Sequence, residues 1–311
     1  MKYLDYIFVL RPTLFFPVWT VFLAGYHANL LFDPKNNLSR SGTIVATNNP
    51  ILAAVLLTLL MGAVFILNQL ADIQTDKKNQ KLFFLANGII KKNTAVLEGV
   101  LLTIFSIGAA FLLDYKLGII FIIVFIFTGV IYNFDPFVWK DKPILGIVIN
   151  FGGGWSVAAC GWIAAGTSSW WFMIYAIPYA IGLVAVYLLT TLPDIDGDKA
   201  TGKITFGVKY GKKVTIYLAV IFEFAAVVFS YLLKDYILFL PALISFPLFL
   251  IAAISQKTED VLRAIKFTVL FASLAVCLKY PIYFLVILAT FYFSKWYYRK
   301  RFDLEYPKFA A

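Results

Sequence analysis

The chain has 311 residues, 61% of them hydrophobic and only 14% charged. Soluble domains carry about 25% charged and about 45–50% apolar residues, so this chain has too little polar surface to cover a water-exposed globule. That excludes a cytoplasmic enzyme, a disordered chain and a free nucleic-acid binder, and the formal charge of +10 suits anionic lipid headgroups or a phosphorylated substrate better.

Apolar runs follow one another at roughly 12–32, 50–70, 95–113, 117–133, 144–165, 170–193, 212–233, 236–254, 263–279 and 281–297. Most reach the ~20 residues that cross a hydrocarbon core. The predicted fold is an all-α polytopic transmembrane bundle of nine to ten spans, forming a single domain over 1–311. Two pseudo-repeated halves are expected, roughly 1–133 and 144–254, with 263–297 as extra C-terminal spans. Asp5 and Arg11 precede a first run long enough to stay in the membrane, so no cleavable signal is expected. Ten spans with the N-terminus inside put 22 of the 27 basic residues on the inner side, as the positive-inside rule requires. Nine would bury Lys279 and Pro281. The multi-pass protein is therefore expected to have a cytoplasmic C-terminal tail. Cys160 and Cys277 stand singly in apolar runs and His27 is the sole histidine, so neither a disulfide framework nor a zinc site is available.

The polar residues that break this pattern cluster at two places. Asn68, Asp72 and Asp76 are four residues apart at the inner end of the second run. On a helix each lies only ~40° from the one before it, so all three share one face. Asp194 and Asp198 repeat the spacing after the sixth run, while Asp196 falls off that face. Carboxylates one turn apart repel unless a cation lies between them, and hard oxygen ligands of this kind suit Mg²⁺, which prefers to share its shell with water and phosphate. Both clusters end even-numbered spans, so they share a side. Basic residues follow each: Lys77, Lys78 and Lys81 after the first, Lys199 and Lys203 after the second. The constellation reads as a site for two Mg²⁺ ions and a diphosphate, with lysines neutralising the remaining phosphate oxygens.

Other polar signals are weaker. Asp194-Ile195-Asp196-Gly197-Asp198 is not a calcium loop, because Lys199 and Thr205 stand where such a loop needs Gly and an acid. Gly152-Gly153-Gly154 lacks the GK[ST] of a phosphate loop and suits close helix packing. Glu223 lies within the seventh run, where a hydrogen-bonding role is the first expectation. Asn150 in span five is a candidate pocket residue.

Asn68-x-x-x-Asp72-x-x-x-Asp76 and Asp194-x-x-x-Asp198 resemble the two Asp-rich motifs of the UbiA family of intramembrane prenyltransferases. Arg11-Pro12 before the first span, Tyr132-Asn133 with Pro136 and Lys140 in the fourth connection, and the stretch from Asp194 to Gly211 also resemble family features. Phe83-Phe84 depart from the Arg-Pro pair the family usually carries after its first motif, and the family typically has nine spans. The resemblance implies an Mg²⁺-dependent enzyme that moves a prenyl group from a polyprenyl diphosphate to a small acceptor, commonly an aromatic ring. Asp72, Asp76, Asp194 and Asp198 are the expected catalytic residues and, with Asn68, the metal ligands. Asn68, Arg11, Lys77, Tyr132, Asn133, Lys140, Asn150 and Lys199 are the expected substrate contacts. The expected partners are these two substrates and the lipid bilayer, with no nucleic acid and no obligate protein partner.

The physical logic of the reaction that the resemblance implies also fits the residues. An anionic head belongs at the inner interface where the aspartates are, and an apolar tail belongs among apolar helices rich in aromatic rings. The alternative is a secondary transporter whose aspartates bind a coupling cation, although such sites usually lie near the bilayer midplane.

Overall fold

The computed structural model of the protein describes residues 1–32, 49–78, 83–166 and 170–307. Among them, ten main helices follow in chain order: α1 (Phe15–Phe32), α2 (Pro50–Ala71), α3 (Lys92–Leu113), α4 (Tyr115–Val124), α5 (Pro143–Ala164), α6 (Ile177–Thr190), α7 (Phe206–Leu232), α8 (Tyr236–Ser255), α9 (Thr258–Lys279) and α10 (Pro281–Phe302). No strand is present among the described residues. Among the described residues, eight helical segments are long and apolar enough to cross a membrane, the first of them running over Lys2–Phe32. The Asn-rich loop 33–48, with Lys35 and Arg40, and the segment 79–82, with Lys81, lie outside the described residues.

Several expected spans differ in detail. The fourth is helical from Tyr115 but becomes π-helical over Phe125–Ile131. The sixth is broken into Phe172–Tyr175 and Ile177–Thr190, with Pro178 in the first turn of the second piece, where its missing N–H costs no bond. The seventh starts earlier, at Phe206, and kinks at Gly211, whose φ of 79° only glycine adopts freely. The last two runs are separate helices, divided at Tyr280. The last, α10, has 22 residues, about 33 Å of helix, and folds back along the first span: Tyr280 meets His27, Tyr283 donates to the Phe16 carbonyl, and Tyr297 reaches Asp5.

Lipid tails give no hydrophobic force between helices, so close backbone approach and van der Waals packing must hold the bundle. The glycines serve that need. A Cβ on Gly161 of α5 would lie 1.8 Å from the Phe22 carbonyl oxygen of α1, and one on Gly25 would lie 2.1 Å from that of Ala158. Gly152 and Gly154 likewise accommodate Phe127 and Leu183, which bears out the packing role of the triple glycine. Three buried clusters result. The largest joins α1, α2, α4, α5 and α6 around Phe22, Leu57, Phe121 and Trp162. A second joins α6 to α9 around Leu188, Phe249 and Val261. The third, around Phe8, Ile66, Phe84 and Tyr297, ties the N-terminal segment, the end of α2, the following connection and α10 together at one end of the bundle. The candidate site lies at this same end.

Candidate active site

The first motif keeps its helical stacking through a break. Asp72 (φ −98°, ψ 9°) closes α2, and a short helix, Ile73–Lys78, restarts after it. The backbone nonetheless bonds in four-residue steps, Asp72 N to Asn68 O at 3.0 Å and Asp76 N to Asp72 O at 2.8 Å. Asn68 is the hub: its Nδ2 donates to Asp72 Oδ2 at 3.2 Å and to Asn133 Oδ1 at 2.8 Å, and its Oδ1 accepts from Arg11 at 3.4 Å.

The second wall comes from α4 and the short connection after it. The π-helical stretch places more residues in each turn than an α-helix and so shifts the register ahead of Tyr132 and Asn133. Asn133 is buried, and its Nδ2 donates to the carbonyls of Thr128 and Gly129, which leaves its Oδ1 for Asn68. Five residues later Val138 adopts φ 42°, ψ 51°, a left-handed conformation that a β-branched residue takes only under constraint. It turns the chain into the 3₁₀ turn Trp139–Asp141. Lys140 is thereby buried, with Nζ 2.5 Å from Asp72 Oδ2, 3.3 Å from Asn133 Oδ1 and 5.8 Å from the centre of the Tyr132 ring.

The third wall is the connection from α6 to α7. Asp194 precedes the short helix Ile195–Ala200, and Asp198 N bonds back to Asp194 O at 2.8 Å. Asp198 accepts from Thr205 Oγ1 at 3.2 Å. Gly202, at φ 77°, reverses the chain, and Lys203 N bonds to Asp198 O at 2.9 Å. That reversal aims Lys203 inward, 3.7 Å from Asp72 and 3.8 Å from Asp141. Lys203 is therefore the link between the two motifs.

The electrostatics favour cations. Burial pushes the Asp76 carboxyl up to about 6, with Asp72 adding to the shift and Arg11, Lys140 and Lys203 opposing it. Burial also raises Asp141 and Asp198, against the pull of Lys203. Among the described residues no three His, Cys, Asp or Glu side chains are grouped tightly enough to hold a metal; at Asp72 the nearest cation is the Lys140 ammonium. The donor set of carboxylates and one amide oxygen, some held above the usual carboxylate range, fits a hard divalent cation that arrives with its own phosphate and water ligands.

The predicted residues separate into two groups. Asn68, Asp72, Arg11, Asn133, Lys140 and Tyr132 form one connected network, and Asp76 faces Arg11, Lys140 and Lys203. Asp194 is exposed and Asp198 half-buried at the opposite wall, and Asp196 is exposed. Lys77 and Lys199 are exposed, and it is Lys140 and Lys203 that pair with Asp72. Asn150 turns back on its own helix, donating to the Gly146 carbonyl at 2.8 Å. Lys142 is exposed and reaches the Pro136 carbonyl at 3.4 Å. Glu223 accepts from Ser245 at 2.7 Å, as a buried structural hydrogen bond. Two site residues carry no signal in the sequence. Asp141 faces Lys203, and Tyr187 of α6 lies near Tyr132, Asp141 and Asp198 with its hydroxyl buried and unpartnered. Deeper in the bundle an apolar cavity of about 110 Å³ is walled by Pro17, Val21, Leu183, Val186, Ile237 and Val269.

The polytopic helices thus bring two Asp-rich ends to one end of a membrane-spanning bundle, with Lys203 between them. Residues 38–274 match the UbiA prenyltransferase family, and the chain belongs to that family, whose members transfer alkyl groups other than methyl. The fold agrees. The structure of a digeranylgeranylglyceryl phosphate synthase superposes with a TM-score of 0.66 at 21% identity, covering 89% of this chain and 98% of the other. A UbiA homolog from Archaeoglobus fulgidus bound to GPP and Mg²⁺ gives 0.60 at 17% identity, over 89% and 99%. Coumarin 8-geranyltransferase 1 of Citrus limon is 29% identical over 194 residues, a match that spans 55% of this chain and 44% of that protein.

Proposed function

We propose that the protein is an Mg²⁺-dependent prenyltransferase that moves a polyprenyl group from its diphosphate to a small acceptor, aromatic or lipid-like. The observation that carries this reading is the Lys203 bridge, which brings Asp72 of the first motif to the connection that holds Asp198 of the second. Binding of GPP and Mg²⁺ by the Archaeoglobus homolog and the geranyl transfer in the name of the Citrus relative support it. The cation-coupled transporter is disfavoured, because the polar groups gather at one end of the helices rather than midway along them.

Asn68, Asp72 and Asp76 on one wall and Asp194 and Asp198 on the other would hold Mg²⁺, which neutralises the diphosphate as it leaves. Lys140, Lys203 and Arg11 exchange their present partners for phosphate oxygens, and Asn133 keeps Asn68 and Lys140 in register. Lys77 and Lys199, exposed at the rim, draw the anionic head inward. The tail lies among the apolar helices. When the allylic C–O bond breaks, its electron pair stays with the diphosphate. Aromatic faces such as Tyr132 stabilise the cation while the closed bundle excludes water. The acceptor supplies the new bond and releases a proton. We place the site at the cytoplasmic face on the distribution of basic residues, and the two halves, each carrying one motif, act as pseudo-repeats around it.

Membranes containing the protein, fed a labelled prenyl diphosphate and extracted for mass spectrometry, test this reading. A labelled prenylated product that requires Mg²⁺ is expected, and unreacted diphosphate with every class of acceptor would contradict it.

A further inference from the structure

Arg11 stands in an unusual place. It precedes a proline, which disfavours helical backbone in the residue before it, yet it adopts φ 57°, ψ 61°. A non-glycine residue held there is strained and persists only when its surroundings fix it. Its guanidinium nonetheless reaches Asn68 at the heart of the site.

The surroundings that fix it come from the far end of the chain. Six residues before Arg11, the buried Asp5 carboxylate accepts from Tyr297 at 2.5 Å and from Arg301 at 3.1 and 3.0 Å. Phe8 stacks on Tyr297 with ring centres 3.6 Å apart. Two residues after Arg11, Thr13 Oγ1 is hydrogen-bonded to the Tyr306 hydroxyl at 3.1 Å. The Val9 carbonyl accepts from Gln69 at 2.7 Å, so the same turn is anchored to α2 one residue from Asn68. Both partners of this contact, residues 1–32 and α10, are largely or wholly outside the stretch that matches the family.

We propose that the inner end of α10 is a clamp that holds the left-handed turn at Arg11 and so positions its guanidinium for the diphosphate. Arg301, Tyr297 and Tyr306 are positioning residues. They touch no substrate and act through Arg11. The proposal rests on the role given to Arg11 above.

The test is equilibrium binding of geranyl diphosphate with Mg²⁺ to the full-length protein in lipid nanodiscs, with thermal stability measured on the same samples. Arg11→Ala is expected to weaken binding about tenfold, and Arg301→Ala to weaken it by a similar factor. Arg11→Ala combined with Arg301→Ala should bind no worse than Arg11→Ala alone, because both changes remove one interaction. Arg301→Lys, which keeps the pair with Asp5, should recover most of the affinity. Tyr306→Phe, a mild change near the surface, should weaken binding about threefold, and only when Arg11 is present. It decides the matter if Arg301→Ala does not fold. Wild-type affinity in Arg301→Ala and Tyr306→Phe, or losses that add in full to that of Arg11→Ala, would overturn the clamp while leaving Arg11 a ligand. Wild-type affinity in Arg11→Ala would instead remove Arg11 from the site.

Discussion

Lys140 and Asp72, 68 residues apart in the chain, form a hydrogen-bonded ion pair of 2.5 Å, with the lysine buried and the carboxylate about one-fifth exposed. A lysine buried against a candidate metal ligand has a definite use. It satisfies Asp72 while the site is empty, and in the proposed reading it would turn to phosphate oxygens when the substrate binds. Lys140→Ala should therefore chiefly raise the Michaelis constant for the prenyl diphosphate, by about 1–3 kcal/mol of binding, with a smaller fall in turnover. Lys142→Ala should change little, because its ammonium is exposed and meets only the Pro136 carbonyl. Steady-state kinetics at saturating Mg²⁺ separate the two, and equal effects would remove the special role of Lys140.

Lys203→Ala should resemble Lys140→Ala, whereas Lys199→Ala should leave kinetics at high substrate unchanged. The two lysines are four residues apart, but only Lys203 follows the reversal at Gly202 and comes within 3.7 Å of Asp72. Replacing Gly202 by Ala should weaken substrate binding as well, since an L side chain is strained at φ 77°.

Tyr187 offers a test in which stability and activity part company. Its hydroxyl is buried without a partner, and such a group costs about 1–3 kcal/mol of stability. Tyr187→Phe should melt no lower than wild type. If the hydroxyl serves the substrate, the same variant should bind prenyl diphosphate several-fold more weakly. Gly146→Ala should be harsher, because the new Cβ would come 2.2 Å from that hydroxyl oxygen and displace the ring. A lower melting temperature in Tyr187→Phe would mean that the hydroxyl has a structural partner.

Mg²⁺ binding should depend on pH on the acid side. Asp76 is held up to about 6, so below that value it carries a proton that a metal must displace. Apparent Mg²⁺ affinity should be flat above pH 7 and fall as pH drops through 6, approaching tenfold per unit for one displaced proton. Titrating Mg²⁺ between pH 5 and 8 checks this, and Asp76→Asn should weaken binding and flatten the acid limb.

Much of this was legible in the sequence, for identifiable reasons. The 3.6-residue helical period alone stacks Asn68, Asp72 and Asp76, and the i to i−4 backbone bonds preserve that stack even where α2 ends. Apolar run length marks the spans. The period says nothing about reversals, so Lys199 and Lys203 could not be told apart without the turn at Gly202. The π-helical stretch over Phe125–Ile131 leaves no compositional trace, because its residues would suit an α-helix equally well. Asp141 and Tyr187 enter the site through contacts between distant segments. So does the docking of α10 on Asp5, which no local pattern encodes.

In the proposed function the two Asp-rich ends form one Mg²⁺-dependent diphosphate site. The most direct measurement is release of inorganic diphosphate from geranyl diphosphate by the purified protein in nanodiscs, with and without Mg²⁺, for wild type and for single alanine variants. Release should require Mg²⁺ and should be lost in Asp72→Ala, Asp76→Ala, Asp194→Ala and Asp198→Ala, all of which should still insert and fold. Asp196→Ala, exposed and off the shared face, should retain most of it. Release without Mg²⁺, or full activity in both Asp72→Ala and Asp194→Ala, would contradict the account.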